Sequence, residues 1–512
     1  MSSTIQPGSV TTDAGAEPTG GGLHRRSLGT AHLVFFIVAA SAPLTAVAGG
    51  QSATYLVTGN KGIPFLFIPL GIMLALFSVG YAAMSRHVTN AGAFYSYIAR
   101  GLGRIAAVAG AFVALVAYNA MQVGIFGLFG VAMGGFMADK IGINLDWYWW
   151  CFIGAAVIAV LGVLRIDLNA RVLAVLLILE VIVVALFDFA ILADPGPQGI
   201  TGTGWSPSEA TGTALGAALV FCVASFVGFE SAAIYGEEAK DPRKTVARAT
   251  FIGIGLIAAF YAVSSWLVGI AAGPDTIVNP DALVQAGFTT PDGAAPDPTT
   301  VLFVTGQDRL GAFYGDAATL LFATSLFAAL LSFHNAVARY FFALGREGVL
   351  PRVFARVSKR SGAPVVGSLV QTTIAVVVVA IFAIQDQDPV LTLFTWLTNL
   401  GALGVLVLMT GTSFAVIGFF RARPDLERNS CASVIAPMIA GLALLAVLVL
   451  GVLNFNVLIT GLTDAPLDSK SVILPAILLA AAVIGAVLAV WLRGSRPQTY
   501  ERIGEGGGPP GL

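Results

Sequence analysis

The sequence predicts an all-α polytopic membrane protein of 12 transmembrane helices, the first ten forming a 5+5 inverted repeat with broken helices 1 and 6. Three observations carry that expectation. Of 512 residues, 57% are apolar and 11% charged, where soluble domains carry about a quarter charged; the mean hydropathy of +0.86 describes the whole chain, not one anchor. Apolar runs recur at about 20 residues, the length that crosses a hydrocarbon core about 30 Å thick. The first and sixth runs hold the same place in two five-helix halves, and both are interrupted.

Composition also excludes classes. A chain this apolar is neither disordered nor a coiled coil, and a net charge of −1 offers no bulk attraction to nucleic acid. Cys151, Cys222 and Cys431 lie far apart, in or beside apolar runs. Metal clusters and disulfide frameworks need closer or paired spacing, so these cysteines read as small buried hydrophobes.

In order, the runs lie near 31–57, 63–85, 105–137, 147–164, 169–193, 212–236, 249–272, 312–344, 365–384, 389–420, 433–458 and 471–492. The first 22 residues lack the basic-then-apolar order of a cleaved signal peptide. Residues 1–24 are therefore expected as a disordered cytoplasmic tail, 25–420 as a ten-helix transporter core, 421–493 as helices 11 and 12, and 494–512 as a second cytoplasmic tail. The Gly-rich end from Gly504 to Leu512 is expected to be disordered too. With the N-terminus inside, the outer loops hold only Lys61, Lys140, Arg309 and Lys470, leaving twenty-three of the 27 basic residues to the inner loops and tails. That asymmetry puts both termini in the cytoplasm and the chain in the plasma membrane. The longest outer loop, about 273–311, carries five prolines and cannot be one continuous helix. It reads as a variable surface loop or as a lid over the outer mouth.

Only Arg171 and Arg339 fall inside a run, both toward its inner end, so the other departures from apolarity stand out. The first run reads Ser41, Ala42, Pro43, Leu44, Thr45 at its middle. Pro43 lacks the N–H that would continue the ladder. Either it kinks a packed helix, or the helix breaks and exposes a new N-terminus whose amides attract an anion. The sixth run carries Ala224, Phe226, Val227, Gly228, Phe229 and Glu230. Gly228 permits a break, and unwound carbonyls beside Glu230 would receive an ammonium or a cation.

Glu180 lies at the midpoint of the fifth run. An acid at that depth costs about 2.5–3.5 kcal/mol on insertion scales, which marks it as functional. It is either a proton-coupling group or a neutral acid bonded to a backbone carbonyl. Asp188, two turns nearer the outside, reads as interfacial. Tyr118 and Gln122 share a helix face; they line a polar pocket or bond between helices. In the eighth run an aromatic at Phe333 would close over a ligand, and His334 is either a titrating group or a satisfied structural histidine.

Three stretches resemble the amino acid–polyamine–organocation permeases, with the likeness running from about 25 to 493. One runs from Gly80 to Arg86 and on through Gly92–Tyr97 to Gly103-Arg104. Another is Phe226-Val-Gly-Phe-Glu-Ser-Ala followed by Gly236-Glu-Glu-Ala-Lys-Asp-Pro-Arg-Lys-Thr. The last runs from Ala338-Arg339 through Gly348-Val-Leu-Pro351 to Phe354-Ala-Arg-Val. The resemblance implies a leucine-transporter-like fold and a secondary active transporter that moves an amino acid or related amine by alternating access, coupled to protons. An exchanger of the same fold is the nearest variant.

By the same resemblance, the break at Ser41, Ala42 and Pro43 holds the substrate carboxylate, and the carbonyls of Ala224 and Val227 hold its amino group. Phe226 and Phe229 shape the pocket, Gln122 and Phe333 touch substrate, and Glu230 is the acid beside the second break. Glu180 falls where several members carry a lysine thought to stand in for a coupling sodium ion; an acid can carry a proton or a metal cation. Ser-Ala-Pro in place of the family's Gly-Ser-Gly type motif removes one amide, which leaves an amine without a carboxylate open as substrate.

Other classes fare worse. No Lys follows a Gly, so the phosphate-binding loop of a primary pump is absent. His24, His32, His87 and His334 are scattered, without the clustering an enzyme's metal or base would need. An ion channel is the alternative of a different class, though it needs neither paired breaks nor a buried acid. Nothing points to a cofactor, and the expected partners are the small-molecule substrate, H+ and the lipid bilayer.

Overall fold

The computed structural model describes residues 28–88, 94–164, 166–212, 214–230, 239–290, 293, 295–427, 429–462 and 468–506, with backbone only at 166–174 and 242–243. The expected tail 1–24, Gly92-Ala93 and the stretch 231–238 lie outside these residues.

The elements follow the apolar runs. The first run begins as α1 (Thr30–Ser41) and, after a break, resumes as a π-helical turn (Thr45–Gln51) and α2 (Ser52–Thr58). Then come α3 (Ile63–Ser85), the short α4 (Phe94–Gly101), α5 (Arg104–Ile141), α6 (Trp147–Gly162), α7 (Ile166–Ala193) and α8 (Leu215–Phe226). They are followed by α9 (Pro242–Ala272), two outer-loop helices α10 (Pro280–Gln285) and α11 (Thr300–Leu310), α12 (Ala312–Glu347) and α13 (Val365–Ile384). A second π-turn (Pro389–Phe394) opens α14 (Thr395–Ala422), and a third (Cys431–Ile435) opens α15 (Ala436–Leu453). The described chain ends with α16 (Phe455–Thr460), α17 (Ser469–Ser495) and α18 (Pro497–Glu501). Among the described residues, 10 segments are long and apolar enough to cross a membrane, α1–α2 counting as one; α6 and α8 are shorter apolar helices.

Burial sorts the helices into inner and outer sets. In their most apolar stretches, α5 buries 78% of its residues and the π-turn with α14 83%, against 28% for α13 and 22% for α17. α5 is wrapped by α12, α14 and α17. Leu369 and Ile384 on α13, and Leu479 and Val487 on α17, are more than half exposed. In water such an apolar belt would drive association; against acyl chains it is at home. The chain is a multi-pass membrane protein.

Ties between loops sort by end. Lys61 pairs with Asp275, which also accepts Gln198 Nε2 at 2.7 Å. Arg309 Nε donates to the Asp194 carbonyl at 2.6 Å, Lys140 meets Asp316 at 2.7 Å, and Lys470 lies 4.5 Å over the Trp396 ring. Each joins loops or helix ends expected on the outer side. At the other end Arg86 faces Glu427 at 3.8 Å, and Arg104 donates to the Glu501 carbonyl at 2.6 Å. The hydrogen bond from Lys61 holds the Asp275 carboxyl below its usual range. A depressed acid contributes its stability at neutral pH and loses it as pH falls through the lowered value, so this tie survives to below about pH 4.

The loop at 273–311 is a folded cap. The Asn279 side chain accepts the amides of Asp281 and Ala282 to start α10, and Ile277, Leu283 and Phe288 are buried beneath it. α11 then lies on α12 through Phe303 and Phe322, whose ring centroids are 5.3 Å apart.

The C-terminal end corrects the sequence reading. Gly504 and Gly506, expected in a disordered tail, donate their amides to Glu347 Oε2 at 2.8 Å and Oε1 at 2.9 Å, and Ile503 between α18 and these glycines is buried. Tyr95 also donates to this carboxylate. A buried carboxylate needs donors, and the glycines provide bare amides. Residues 507–512 lie outside the described set.

Helix α5 reaches its neighbours by backbone approach. A Cβ at Gly127 would sit 2.2 Å from the Pro389 carbonyl oxygen, whereas one at Gly135 on the same helix meets nothing within 4 Å. Gly127→Ala should therefore cost about 1–3 kcal/mol of overpacking and lower the melting temperature of the detergent-solubilised protein. Gly135→Ala should leave it unchanged or raise it slightly. Equal melting temperatures for the two variants would refute this account of the contact.

Candidate functional site

The first break is built around Ala42. Its φ of 46° lies in the left-handed region that alanine rarely visits. Its N–H turns back to the carbonyls of Val38 and Ala39 and closes α1, while its own carbonyl accepts the Ala46 N–H at 2.8 Å and opens the next segment. Pro43 thus stands in the first turn of a new helix, where its missing N–H costs nothing. Of the two readings of Pro43, the break is the one found, not a kink.

A new helix start leaves amides without helical partners. Here they are met from two other helices. The Thr45 N–H and Oγ1 lie 3.3 and 3.0 Å from Ser325 Oγ on α12, and that hydroxyl donates to Glu180 Oε2 on α7 at 2.7 Å. The Leu44 amide also approaches this carboxyl. Glu180, 1% exposed, therefore sits at the positive end of the restarted helix. No ion pair to it is present among the described residues. From the other side, Tyr261 OH on α9 lies 2.9 Å from the Ser41 carbonyl and 3.0 Å from Ser41 Oγ.

The second break follows α8. Val227 leaves helical geometry with ψ 128°, and Gly228 takes φ 113°. The Gly228 N–H donates to Glu230 Oε2 at 3.0 Å, and Tyr118 OH on α5 donates to Glu230 Oε1. A Cβ on Gly228 would stand 2.4 Å from the Ala40 Cβ, so only glycine lets the two breaks touch. Phe226 packs on Phe67 with ring centroids 5.8 Å apart, and Phe229 on Phe77 at 5.9 Å, which anchors both sides of the break in the core.

Between the breaks lies a cavity of about 70 Å³. Ser41, Ala42 and Thr45 line it from the first break, and Phe221, Ala224 and Ser225 from α8. Met121 and Ile125 of α5, Ala329 and Phe333 of α12, and Phe394 and Thr398 close the rest. Its hydroxyls are bonded within the protein: Ser41 Oγ donates to Val38 O at 2.8 Å, Thr398 Oγ1 to Phe394 O at 2.7 Å, and Thr45 Oγ1 to Ser325 Oγ. No charged side chain lines it. The chamber is apolar, with broken-helix backbone at one end.

Of the residues singled out in the sequence, Ser41, Ala42, Thr45, Ala224 and Phe333 line this cavity. Pro43 faces an apolar groove with Val38, Leu177 and Phe260, and Leu44 is fully buried. Gln122 bonds between helices, donating to Leu330 O at 3.1 Å and accepting from Gln371. His334 faces away, 2.7 Å from Ser368 Oγ on α13. Asp188 accepts from Ser264 Oγ at 2.7 Å. Sequence reasoning passed over Ser325, Tyr261, Met121 and Thr398, and no pattern distinguishes such residues from their neighbours in an apolar helix. Among the described residues no cluster of His, Cys, Asp or Glu is arranged to hold a metal ion.

A branched-chain amino acid permease of Bacillus subtilis is 24% identical over 430 residues, covering 79% of this chain and 83% of that protein. Cationic amino acid transporter 4 of Mus musculus is 28% identical over 46% of this chain, and the vacuolar transporter 4 of Arabidopsis thaliana is 26% identical over 44%; the matches span 32% of each of those longer proteins. A solved structure, the Eremococcus coleocola manganese transporter, shares the fold at 14% identity with a TM-score of 0.55, covering 95% of this chain and 99% of that one. The family model described as amino acid permease matches residues 28–489, from the start of the described chain to the last long helix. The chain belongs to the amino acid permease family.

Proposed function

We propose that the protein is a secondary active transporter that carries a neutral amino acid with an aliphatic side chain across the plasma membrane, coupled to protons. In this reading the chain crosses twelve times with both termini cytoplasmic, helices 1–10 form a five-plus-five inverted repeat, and the two breaks mark equivalent helices. The observation that carries it is the uncharged, apolar cavity between two touching helix breaks, with Glu180 behind the first of them. An aliphatic side chain suits Met121, Ile125 and Phe333, whereas a lysine or arginine substrate would bury a charge without a partner. The backbone of the breaks then holds the amino and carboxylate groups. At about 70 Å³ the cavity is well below the roughly 300 Å³ of common small-molecule sites. Substrate entry therefore requires the walls to part, first on one side and then on the other.

Coupling follows from competition for one helix end. Ionised Glu180 is held by the positive end of the restarted helix. Protonation weakens that hold and frees the amides of Leu44 and Thr45 for the carboxylate of the substrate. Glu230, with one oxygen on the Gly228 amide and the other on Tyr118, has a positioning role.

In proteoliposomes, labelled isoleucine or valine should enter saturably and accumulate when the outside is more acidic. Unlabelled leucine should compete and arginine should not. Ohmic, non-saturating flux would sink the carrier reading in favour of a channel, and transport that is strictly counter-exchange would make it an exchanger. Glu180→Gln should abolish gradient-driven accumulation while counterflow persists; continued accumulation would move the coupling site elsewhere. Ala224→Leu fills the chamber and should raise the KM for isoleucine about tenfold or more; an unchanged KM would place the side-chain pocket outside this cavity.

A further inference from the structure

A larger cavity, about 730 Å³, lies at the end of the bundle opposite Lys61 and Asp275, between the turn that follows α12 and the C-terminal segment. Four arginines line it: Arg346 and Arg352 from the first side, Arg496 and Arg502 from the second. Glu347 is the one acid in its lining, and both of its oxygens accept amides of the C-terminal segment. Arg352 and Arg502 have no ion pair among the described residues. Arg496 lies 5.6 Å over the ring of Trp491, which is 53% exposed at the last turns of α17.

Like charges gathered around one space raise its potential and favour an anion. Guanidinium forks match the oxygens of a phosphate in geometry and charge, and the side chains of Gln498 and Thr499 add neutral donors on the same wall. The volume exceeds a bare phosphate, which leaves room for the group attached to it. An exposed tryptophan at the end of a membrane-crossing helix places the mouth at the level of lipid headgroups.

We propose that this arginine-lined cavity binds a phosphate group, bridging the turn after α12 to the folded C-terminal segment. The phosphate comes either from an anionic phospholipid headgroup or from a soluble phosphate. The proposal does not depend on which amino acid is carried or on how transport is driven.

The test uses the full-length protein in nanodiscs, with the melting temperature as readout. One arm compares phosphatidylglycerol with phosphatidylcholine discs. The other titrates inorganic phosphate against chloride at equal ionic strength in phosphatidylcholine discs. A rise of a few degrees, about 2–4 °C, is expected in at least one arm. A rise in the first alone identifies the lipid, and a rise in the second identifies a soluble phosphate. Arg352→Gln or Arg502→Gln should each raise the phosphate or anionic-lipid content needed for half the response about tenfold, and the double variant should abolish it. Both side chains reach solvent, so the double variant should fold, and its melting temperature in phosphatidylcholine without phosphate checks this. Arg356→Gln with Lys359→Gln, outside the cavity lining, should keep the response. A response absent from both arms, or one that survives the double substitution, overturns the proposal.

Discussion

Everything at the centre of this molecule follows from one requirement: a helix broken in the membrane interior exposes backbone groups that water cannot reach, so protein must pair them. Each orphaned amide would cost about 1–3 kcal/mol. The first break is answered through Ser325 and Glu180, the second by Glu230. The helices brought to the centre are those that answer. α12 contributes Ser325, α7 contributes Glu180, and α5 contributes the Tyr118 hydroxyl that holds the second acid in place. The cavity is the space left once these partners are in position.

The two acids solve the problem differently. Glu230 lies two residues from the amide it accepts, so it travels with its own break. Glu180 reaches from another helix and, through Ser325, ties three segments that are distant in sequence. A change of charge on a local partner alters one turn of backbone, whereas a change on a distant partner alters the relation between helices. That difference in reach, more than depth of burial, is the ground on which proton coupling is proposed at Glu180.

Hydropathy and charge are local properties, and what depends on them was legible in the sequence. Except at the start of α9, the long helices begin and end within a few residues of the apolar runs, and the basic residues Lys61, Lys140, Arg309 and Lys470 gather at one end through their partners. Pro43 marked the first break, and Gly228 the second. What could not be read depends on how helices are rotated against each other. Gln122 was a candidate for the pocket, but the rotation of α5 turns it to Leu330 and Gln371 while Met121 lines the cavity. Ser325 and Tyr261 gave no signal because a hydroxyl in an apolar helix is commonly bonded to its own backbone. The Gly-rich end read as disordered because composition contains no record of Glu347, whose need for donors is met only once the chain has folded.

Helix α5 has a consequence of its own. Its 38 residues make a rod about 57 Å long at 1.5 Å per residue, nearly twice the hydrocarbon thickness of about 30 Å. Tyr118, Met121 and Ile125 sit near the middle of that rod, between the two breaks. A rod longer than its solvent layer sets its tilt by the thickness of that layer. A thicker or thinner bilayer therefore acts directly on one wall of the cavity, and lipid chain length becomes a variable of the cavity's shape.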